Sequence, residues 1–488
     1  MDDMRLDDLL TGPGVRARPD AAVRVSGIAY RSDRVSPKDA FFCIRGFAHD
    51  GHDFASDAVS RGASAVVASR EMPELAGVVP VAVVDDTREA LARASARFFG
   101  HPSASLEVVG VTGTNGKTTT TYIVDSIMRA AGKTTGLVGT VEVRIGDVRM
   151  PAGRTTPESR DLQELLARMR ASGVTNVSME VSSHAIDLKR VVGIRFAVAA
   201  FTNLSQDHLD YHKTLEEYWS VKKRLFTEHD VGARVVNVDS PAGAELAATL
   251  TDALTVGRSA DAHVRAHDEE HAPHGTTFDL VVGSWRRRVQ LPLPGAHNVE
   301  NALVAAGCAV ALGIDLEAIA SGLEACPQVP GRLERIDEGQ PFAVLVDYAH
   351  TPDSLAKAID TVREFTRGRV IVVFGCGGDR DREKRPLMGA AAAERADFVV
   401  VTSDNPRSED PVGIVLEIVD GIRAKRVDHI VEIDRRTAIR RALESAKPGD
   451  AVLIAGKGHE DYQIFSDRTI RFDDREVARE ELRRLCFG

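Results

Sequence analysis

Apolar residues fall into two alternating patterns along the chain: short runs rich in β-branched residues, and longer stretches with helical spacing. The alternation is regular from Leu106 onward and begins again near Pro330. Alternating strands and helices predict a mostly parallel, doubly wound sheet, here in two copies, and therefore an α/β fold. The predicted strands are Glu107–Val111, Val174–Val181, Phe196–Phe201, Arg234–Val238, Phe342–Val346, Val370–Phe374, Phe398–Thr402, His429–Ile433 and Ala451–Ala455.

The first hundred residues have a different pattern. Short β-rich runs at Ser64–Ala68 and Val78–Val84 precede a predicted helix at Arg88–Phe99, and H-P-S-A-S at 101–105 is interpreted as a linker. A chain of 488 residues is too long for one ordinary hydrophobic core. The predicted domains are 1–103, 104–329 and 330–488.

Composition narrows the class of protein. The net charge of −10 disfavours binding to nucleic acid or to an anionic membrane, and no apolar run reaches the roughly 20 residues of a membrane-spanning helix. The acidic N-terminus lacks the basic and apolar regions of a signal peptide. Five cysteines without paired spacing indicate a reducing compartment, so we expect a cytoplasmic protein, and no pattern requires more than a monomer.

The strongest local motif is G-V-T-G-T-N-G-K-T-T at 110–119, between a predicted strand and a predicted helix. Its glycines let backbone N–H groups approach phosphate, and the helix N-terminus favours the negative charge. Lys117 is expected to reach the β- and γ-phosphates and Thr118 to bind Mg²⁺. The usual first glycine would fall at Val111, so we interpret Gly110 and Gly113 as its substitutes. The predicted nucleotide contacts are Gly113, Thr114, Asn115, Gly116, Lys117, Thr118 and Thr119.

Two polar segments follow predicted strands: M-E-V-S-S-H at 179–184 and F-T-N-L-S-Q-D-H-L-D-Y-H at 201–212. The carboxylate of Glu180 suits Mg²⁺, which prefers oxygen ligands, although a helix cap or a solvated charge is the alternative. His208 is either a second metal ligand or a structural histidine.

Together these segments resemble the Mur ligases of peptidoglycan synthesis, and within that family the ligases that add diaminopimelate. Further motifs in the same order extend the resemblance over nearly the whole chain: P-G-A-H-N-V-E-N-A at 294–302, G-R-L-E at 331–334, D-Y-A-H-T-P at 347–352, G-C-G-G-D-R-D at 375–381, D-N-P-R at 404–407 and G-K-G-H-E at 456–460.

The resemblance implies an enzyme that uses ATP and Mg²⁺ to activate the D-Glu carboxylate of UDP-MurNAc-L-Ala-D-Glu as an acyl phosphate. The amine of meso-2,6-diaminopimelate then forms the amide. It also implies an N-terminal uridine-nucleotide domain, a central phosphate-loop domain with a doubly wound sheet, and a Rossmann-like C-terminal domain.

By the same resemblance Lys117, His208 and Lys222 are catalytic, and Thr118, Glu180, His208 and Lys222 surround the metals, with Lys222 carbamylated by CO₂. An ordinary solvated lysine is the alternative for Lys222. The implied nucleotide contacts are Asn301, Arg332 and Asp347, although a helix cap is the alternative for Asn301 or its neighbour Asn298.

The implied contacts to the UDP-sugar substrate are Ser32, Thr155, Thr156, Ser182 and Arg190. The loop at 46–51 departs from the commoner family form. The implied amino-acid contacts are Arg380, Asp404, Asn405, Pro406, Arg407, Gly456 and Glu460.

Arg407 is the main reason to expect diaminopimelate. A guanidinium can bind a carboxylate through two parallel hydrogen bonds, and diaminopimelate has a distal carboxylate that L-lysine lacks. The alternatives are a surface turn at 404–407, a lysine-adding ligase, a ligase like folylpolyglutamate synthase, and a phosphate-loop NTPase switch.

Overall fold

The computed structural model describes residues 3–12, 14–17, 23–207, 209–423, 425 and 427–487. Its strands are β1 (Met4–Arg5), β2 (Val15–Ala17), β3 (Arg24–Val25), β4 (Gly27–Ala29), β5 (Asp39–Phe42), β6 (Ala65–Ala68), β7 (Val81–Val84), β8 (Glu107–Thr112), β9 (Thr135–Val138), β10 (Glu142–Ile145), β11 (Val148–Pro151), β12 (Asn176–Glu180), β13 (Arg195–Phe201), β14 (Asp230–Asn237), β15 (Ala253–Gly257), β16 (Val264–Ala272), β17 (Gly275–Val282), β18 (Trp285–Leu291), β19 (Glu334–Arg335), β20 (Ala343–Asp347), β21 (Val370–Phe374), β22 (Phe398–Val401), β23 (Asp428–Val431), β24 (Ala451–Ala455), β25 (Tyr462–Ile464) and β26 (Thr469–Arg471).

Its helices are α1 (Leu6–Leu9), α2 (Ala55–Ser60), α3 (Thr87–Phe98), α4 (Lys117–Ala130), α5 (Ser159–Ala171), α6 (Ser183–Asp187), α7 (Leu209–His212), α8 (Leu215–Thr227), α9 (Pro241–Thr249), α10 (Ala296–Ala311), α11 (Leu316–Glu324), α12 (Pro352–Phe365), α13 (Lys384–Arg395), α14 (Pro411–Arg423), α15 (Arg435–Ser445) and α16 (Asp474–Phe487). The predicted α/β class is confirmed. Within the described ranges, no helix is both long enough and apolar enough to cross a bilayer.

The chain forms two compact units. The first contains Met1–Lys117, Ala131–Thr255 and Gly307–Asp315, and the second contains Thr118–Ala130, Val256–Ala306 and Leu316–Gly488.

The first unit contains two sheets. Near the N-terminus a five-stranded sheet has the order β2-β7-β6-β5-β4 and is parallel except at β2. The other sheet has the order β11-β10-β9-β12-β8-β13-β14 within this unit and is parallel from β9 to β14. Because the carboxyl ends of parallel strands share one edge, the residues that follow β8, β9, β12 and β13 are neighbours.

The second unit contains a six-stranded sheet of order β19-β20-β24-β21-β22-β23, in which all strands but β19 are parallel. Helices α12, α13 and α14 bury apolar side chains on one face, and α15 and α16 do so on the other. This is the second doubly wound sheet that the sequence predicts.

Several features differ from the sequence prediction, including β9, β10 and β11, which it did not contain. The antiparallel ribbon β16-β17-β18 was missed, because its charged, solvent-facing positions interrupt the apolar runs. The expected linker at 101–105 forms a 3-10 helix at Pro102–Ser105 with Pro102 and Ser103 buried. The strand predicted from Val78 begins only at Val81, after Pro80, which cannot donate a backbone hydrogen bond.

Candidate active site

In the first unit, residues 113–117 connect β8 to the start of α4. Gly113 and Gly116 have φ angles of +151° and +85°, which glycine adopts more readily than other residues. The ammonium of Lys117 donates to the carbonyls of Gly113 (3.0 Å) and Thr114 (2.8 Å). A cation therefore lies at a loop whose N–H groups and helix start suit phosphate.

Gly110 does not belong to this loop, contrary to our interpretation of the motif. It lies within β8, where a Cβ atom would come 2.6 Å from the ring of Phe196. Its role is close packing between neighbouring strands.

The segment after β13 holds the phosphate loop in place. Thr114 N–H donates to the carbonyl of Asn203 (2.8 Å), and Asn115 N–H donates to the side-chain oxygen of Asn203 (3.0 Å). Thr202 donates its hydroxyl to the carbonyl of Asn115 (2.6 Å). Within this segment, sequence analysis predicted a functional role only for His208. The loop-holding role of Thr202 and Asn203 depends on strand order, which a motif does not show.

Glu180 ends β12, which pairs with β8 so that Glu180 lies opposite Val111. Its side chain is 1% exposed and accepts the backbone N–H (2.7 Å) and the hydroxyl (3.1 Å) of Thr140. A Cβ atom at Gly139 would lie 2.6 Å from Oε1 of Glu180. Glu180 is thus a fixed, buried carboxylate, neither a solvated charge nor a helix cap. Thr140 is a residue that sequence reasoning missed.

Four predicted substrate residues surround Glu180. The Thr155 and Thr140 hydroxyls lie 3.0 Å apart. Thr156 donates its hydroxyl to the carbonyl of Glu180 (2.8 Å) and accepts the N–H of Ser182 (3.2 Å). Arg190 donates to the carbonyl of Thr156 (3.2 Å).

Ser32 lies at the start of a 3-10 helix in the N-terminal segment, and its hydrogen bond to Asp57 contributes to lowering the pKa of that carboxyl. In the variant loop at 46–51, Phe47 is 75% exposed and its ring contacts Tyr211 edge to face.

Lys222 on α8 is 1% exposed, so the solvated alternative is wrong. Its ammonium donates to the carbonyl of Gly113 (2.8 Å) and lies 4.4 Å from the ring centre of Tyr218. Burial, and then the nearby charge of Lys117, hold the pKa of Lys222 well below its ordinary value. Burial therefore shifts Lys222 toward the neutral, nucleophilic amine.

His208, the expected second metal ligand, lies outside the described residues. Among the residues that the structure describes, no three His, Cys, Asp or Glu side chains group as a ready metal site. The oxygen-rich surroundings of Glu180, with two threonine hydroxyls, nevertheless fit the preference of Mg²⁺ for hard ligands.

In the second unit, Thr118 contacts Arg332, which lies just before β19. Arg332 donates to the Thr118 hydroxyl (3.3 Å), and its guanidinium stacks 5.0 Å from the ring centre of Tyr348. Asp347 accepts the N–H groups of Leu333 and Ala349, both at 2.8 Å. Burial nevertheless raises the pKa of Asp347.

Asn298 and Asn301 lie inside α10, so neither caps it. Asn298 donates to the carbonyl of Pro294 (2.8 Å), and Asn301 donates to the side chain of Asn298 (3.1 Å). The Asn301 oxygen accepts a long hydrogen bond from Thr120 (3.4 Å).

The loops after β21, β22 and β24 gather the predicted amino-acid contacts at one edge of the second sheet. Arg407 has a φ of +54°, and its guanidinium donates to the carbonyl of Gly378 (2.7 Å). Arg380 is exposed. Pro406 is buried beside Arg407 and fixes the turn.

Asn405 donates to Glu460 (2.9 Å), and the buried ammonium of Lys457 lies 3.4 Å from each of them. A Cβ atom at Gly456 would come 2.8 Å from the carboxylate of Asp404. Sequence reasoning missed Lys457, which is fully buried and also donates to the carbonyl of Tyr462.

A buried ion pair holds the ends of the strands that lead into these loops. Arg435 donates to both oxygens of Asp474 at 2.7 Å, and both side chains are 0% exposed. Arg435 also donates to the carbonyls of Ser403 (3.2 Å) and Ala455 (2.9 Å), at the ends of β22 and β24.

Cys376 is not a reactive thiol. It is buried against the Met388 sulfur, and burial raises its pKa to about 12.

A glycine-rich loop between a buried parallel strand and a helix, with a buried glutamate at the end of the next strand, defines a phosphate-loop nucleotide-binding α/β protein. Three family models match the chain: the Mur ligase family catalytic domain at residues 24–99, the Mur ligase middle domain at 111–309, and the Mur ligase glutamate ligase domain at 331–458. The chain belongs to the Mur ligase family, which confirms the resemblance seen in its motifs.

Relatives match over nearly their full length. The UDP-N-acetylmuramoyl-L-alanyl-D-glutamate–2,6-diaminopimelate ligase of Solibacter usitatus (strain Ellin6076) is 47% identical over 95% of this chain and 94% of its own. The ligase of the same name from Geobacillus thermodenitrificans (strain NG80-2) is 47% identical over 98% of this chain and 99% of its own. A solved structure of a ligase with that name has a TM-score of 0.73 at 32% identity and covers 100% of both chains.

The variant Gly113→Ala should lose nucleotide binding, because its Cβ atom would collide with the hydroxyl of Thr202 and displace the loop. We expect the affinity for Mg-ADP, measured by calorimetry, to fall at least about tenfold. Gly132→Ala is the matched control, since Gly132 also has a positive φ (+72°) but nothing lies within 4 Å of the added Cβ. Equal affinities in the two variants would contradict the packing role.

Proposed function

We propose that the chain is an ATP-dependent amide ligase that joins meso-2,6-diaminopimelate to the D-Glu carboxylate of UDP-MurNAc-L-Ala-D-Glu. The observation that carries this proposal is the 47% identity, over nearly the full length of both chains, to ligases named for that reaction.

The chemistry has two steps. A carboxylate oxygen attacks the γ-phosphorus of ATP and ADP leaves, which converts a poor leaving group into phosphate. The amine of the amino acid then attacks the acyl carbon, phosphate leaves and a proton is lost. Two anions must approach each other in the first step, so the site must supply positive charge.

The first unit supplies the groups for phosphoryl transfer. The backbone N–H groups of Gly116 and Lys117 and the ammonium of Lys117 bind phosphate oxygens, while those of Thr114 and Asn115 hold the loop to Asn203. Glu180 and His208 would hold Mg²⁺. When bound, Mg²⁺ neutralises charge on the transferring group.

Lys222 is the carbamylation site in this proposal. Its neutral amine attacks the carbon of CO₂, an N–H proton leaves, and the product is an N-carboxylate. Burial supports this step because it favours the neutral amine. The change replaces an amine with an anionic group that would be able to support a metal.

Substrate recognition is divided between two groups of residues. We assign the UDP-linked substrate to Ser32, Thr155, Thr156, Ser182 and Arg190. We assign diaminopimelate to Arg380, Asp404, Asn405, Pro406, Arg407, Gly456 and Glu460.

Arg407 and Glu460 have opposite charges, as the distal amino-carboxylate centre of diaminopimelate requires. L-lysine lacks the distal carboxylate and would leave the Arg407 guanidinium without its anionic partner, which is unfavourable for a partly buried charge. A folylpolyglutamate synthase-like ligase and an NTPase switch are the remaining alternatives.

We further infer that the chain acts in the cytoplasm as a monomer. Four of its five cysteines are free and buried, and the fifth, Cys486, is free and exposed, which suits a reducing compartment.

Product analysis tests the proposal. The protein is incubated with ATP, Mg²⁺ and UDP-MurNAc-L-Ala-D-Glu, with either meso-diaminopimelate or L-lysine, and products are identified by mass. We expect ADP, phosphate and the diaminopimelate-containing tripeptide. A lysine product would reassign the amino acid, and ATP hydrolysis without an amide would favour the switch.

The variant Arg407→Ala should raise the KM for diaminopimelate at least about tenfold, because a charge-assisted hydrogen bond to its distal carboxylate is lost. The KM for ATP should not change. Arg471→Ala is the matched control, since that arginine pairs with Glu476 and is 75% exposed. A KM for diaminopimelate equal to that of the control would refute the assignment of Arg407.

The variant Lys222→Ala should lower ligation about 100-fold, since the N-carboxylate is lost. Added short-chain carboxylates should restore part of the activity by taking its place. Lys223→Ala is the control, because the neighbouring Lys223 is a partly exposed partner of Glu245 and of the Trp219 ring. Full activity of Lys222→Ala without added carboxylate would exclude carbamylation as a requirement.

A further inference from the structure

One buried carboxylate in the first unit is shared by two arginines that come from distant parts of the sequence. Glu158, 3% exposed, precedes α5, and its Oε2 lies 3.2 Å from Nη1 of Arg88 and 3.4 Å from Nε of Arg190. Its other oxygen accepts the N–H of Ser159 (3.1 Å). The carboxylate is therefore both a helix cap and a bridge between two cations.

The two arginines lead to different parts of the substrate region. Arg88 on α3 also donates to the carbonyl of Arg45 (2.7 Å). Arg45 forms a backbone bridge to Asp50, which closes a loop at 45–50 that overlaps the variant loop at 46–51. Arg190 donates to the carbonyl of Thr156, whose hydroxyl contacts the end of β12. A continuous polar connection thus runs from the loop at 45–50 to the residues around Glu180.

Arg190 depends on this carboxylate for its orientation. Burial lowers the pKa of Arg190, and Glu158 opposes that effect. Nε of Arg190 lies 3.4 Å from Oε2 of Glu158, a long contact in which the attraction of opposite charges outweighs the hydrogen bond. Within the described residues, Nη1 donates to Thr156 and Nε faces Glu158, which leaves the hydrogens of Nη2 for an anionic ligand.

We propose that Glu158 is the positioning residue of the UDP-linked substrate site. It fixes the guanidinium of Arg190 for an anionic group of UDP-MurNAc-L-Ala-D-Glu and joins it, through Arg88, to the loop at 45–50. This inference rests on the proposed function, because it assigns the substrate of Arg190.

A purely structural role would be to hold α5 against α3. The chain offers a control for that role at the opposite end of the same helix pair. Arg170, in the last turn of α5, donates to the carbonyls of Gly100 (2.9 Å) and Phe99 (3.2 Å), directly after α3. Arg170→Ala loosens the same packing without touching Arg190.

The test compares Glu158→Gln with Arg170→Ala in the full-length protein. Glutamine keeps an oxygen for the helix cap and removes the charge. For Glu158→Gln we expect the KM for UDP-MurNAc-L-Ala-D-Glu to rise at least about tenfold, with the KM values for ATP and diaminopimelate within about twofold of wild type. Arg170→Ala should lower the melting temperature and leave all three KM values unchanged.

Glu158→Asp should recover part of the KM because it restores the charge on a shorter side chain, and it is the variant to assay if Glu158→Gln does not fold. Combining Glu158→Gln with Arg88→Ala should give less than the sum of the two separate effects, as expected for members of one network.

An unchanged KM in Glu158→Gln would overturn the positioning role while wild-type ligation still supports the proposed function. An equal rise in Arg170→Ala would also overturn it, in favour of simple packing. Absence of ligation by the wild type would overturn both proposals.

Discussion

The sheet around β8 and the six-stranded sheet depend on strand-end loops that approach one another more closely than a Cβ atom would allow. In the first unit Gly113 faces Thr202 and Gly139 faces Glu180, and in the second unit Gly456 faces Asp404. A side chain at any of these positions would separate the loops and leave buried polar groups without partners, which costs more than the lost packing alone. The glycines therefore set the spacing on which the polar networks of each unit rest.

Several buried side chains carry basic groups in a protein whose net charge is negative. The protein carries a net charge of −10, yet Lys222, Lys457 and Arg435 are each at most 1% exposed. Arg435 cannot lose its proton and is fully paired, so it serves as a fixed support. Lys222 has a backbone carbonyl and an aromatic ring around it, and burial lowers its pKa. Burial thus leaves Arg435 charged but shifts Lys222 toward the neutral amine.

Local patterns predicted the parallel strands and the phosphate loop, because apolar runs and Gly-Lys-Thr spacing are properties of neighbouring residues. Gly110 was misinterpreted because its purpose, contact with Phe196, lies on another strand. Thr140, Lys457 and Glu158 were missed for a related reason: their partners are far away in sequence, or their burial arises only from tertiary packing. A motif indicates which residues could bind, whereas strand order decides which residues hold them in place.

The pair of Arg435 and Asp474 has a consequence for synthesis on the ribosome. Asp474 is the first residue of α16. Its carboxylate is the buried partner of Arg435, which donates to the carbonyls at the ends of β22 and β24. The phosphate loop, by contrast, is complete after the first half of translation, once the residues following β13 have emerged. A nascent chain can therefore form the contacts that hold residues 113–117 early, whereas the buried pair that holds the ends of β22 and β24 forms only after residue 474 has been made.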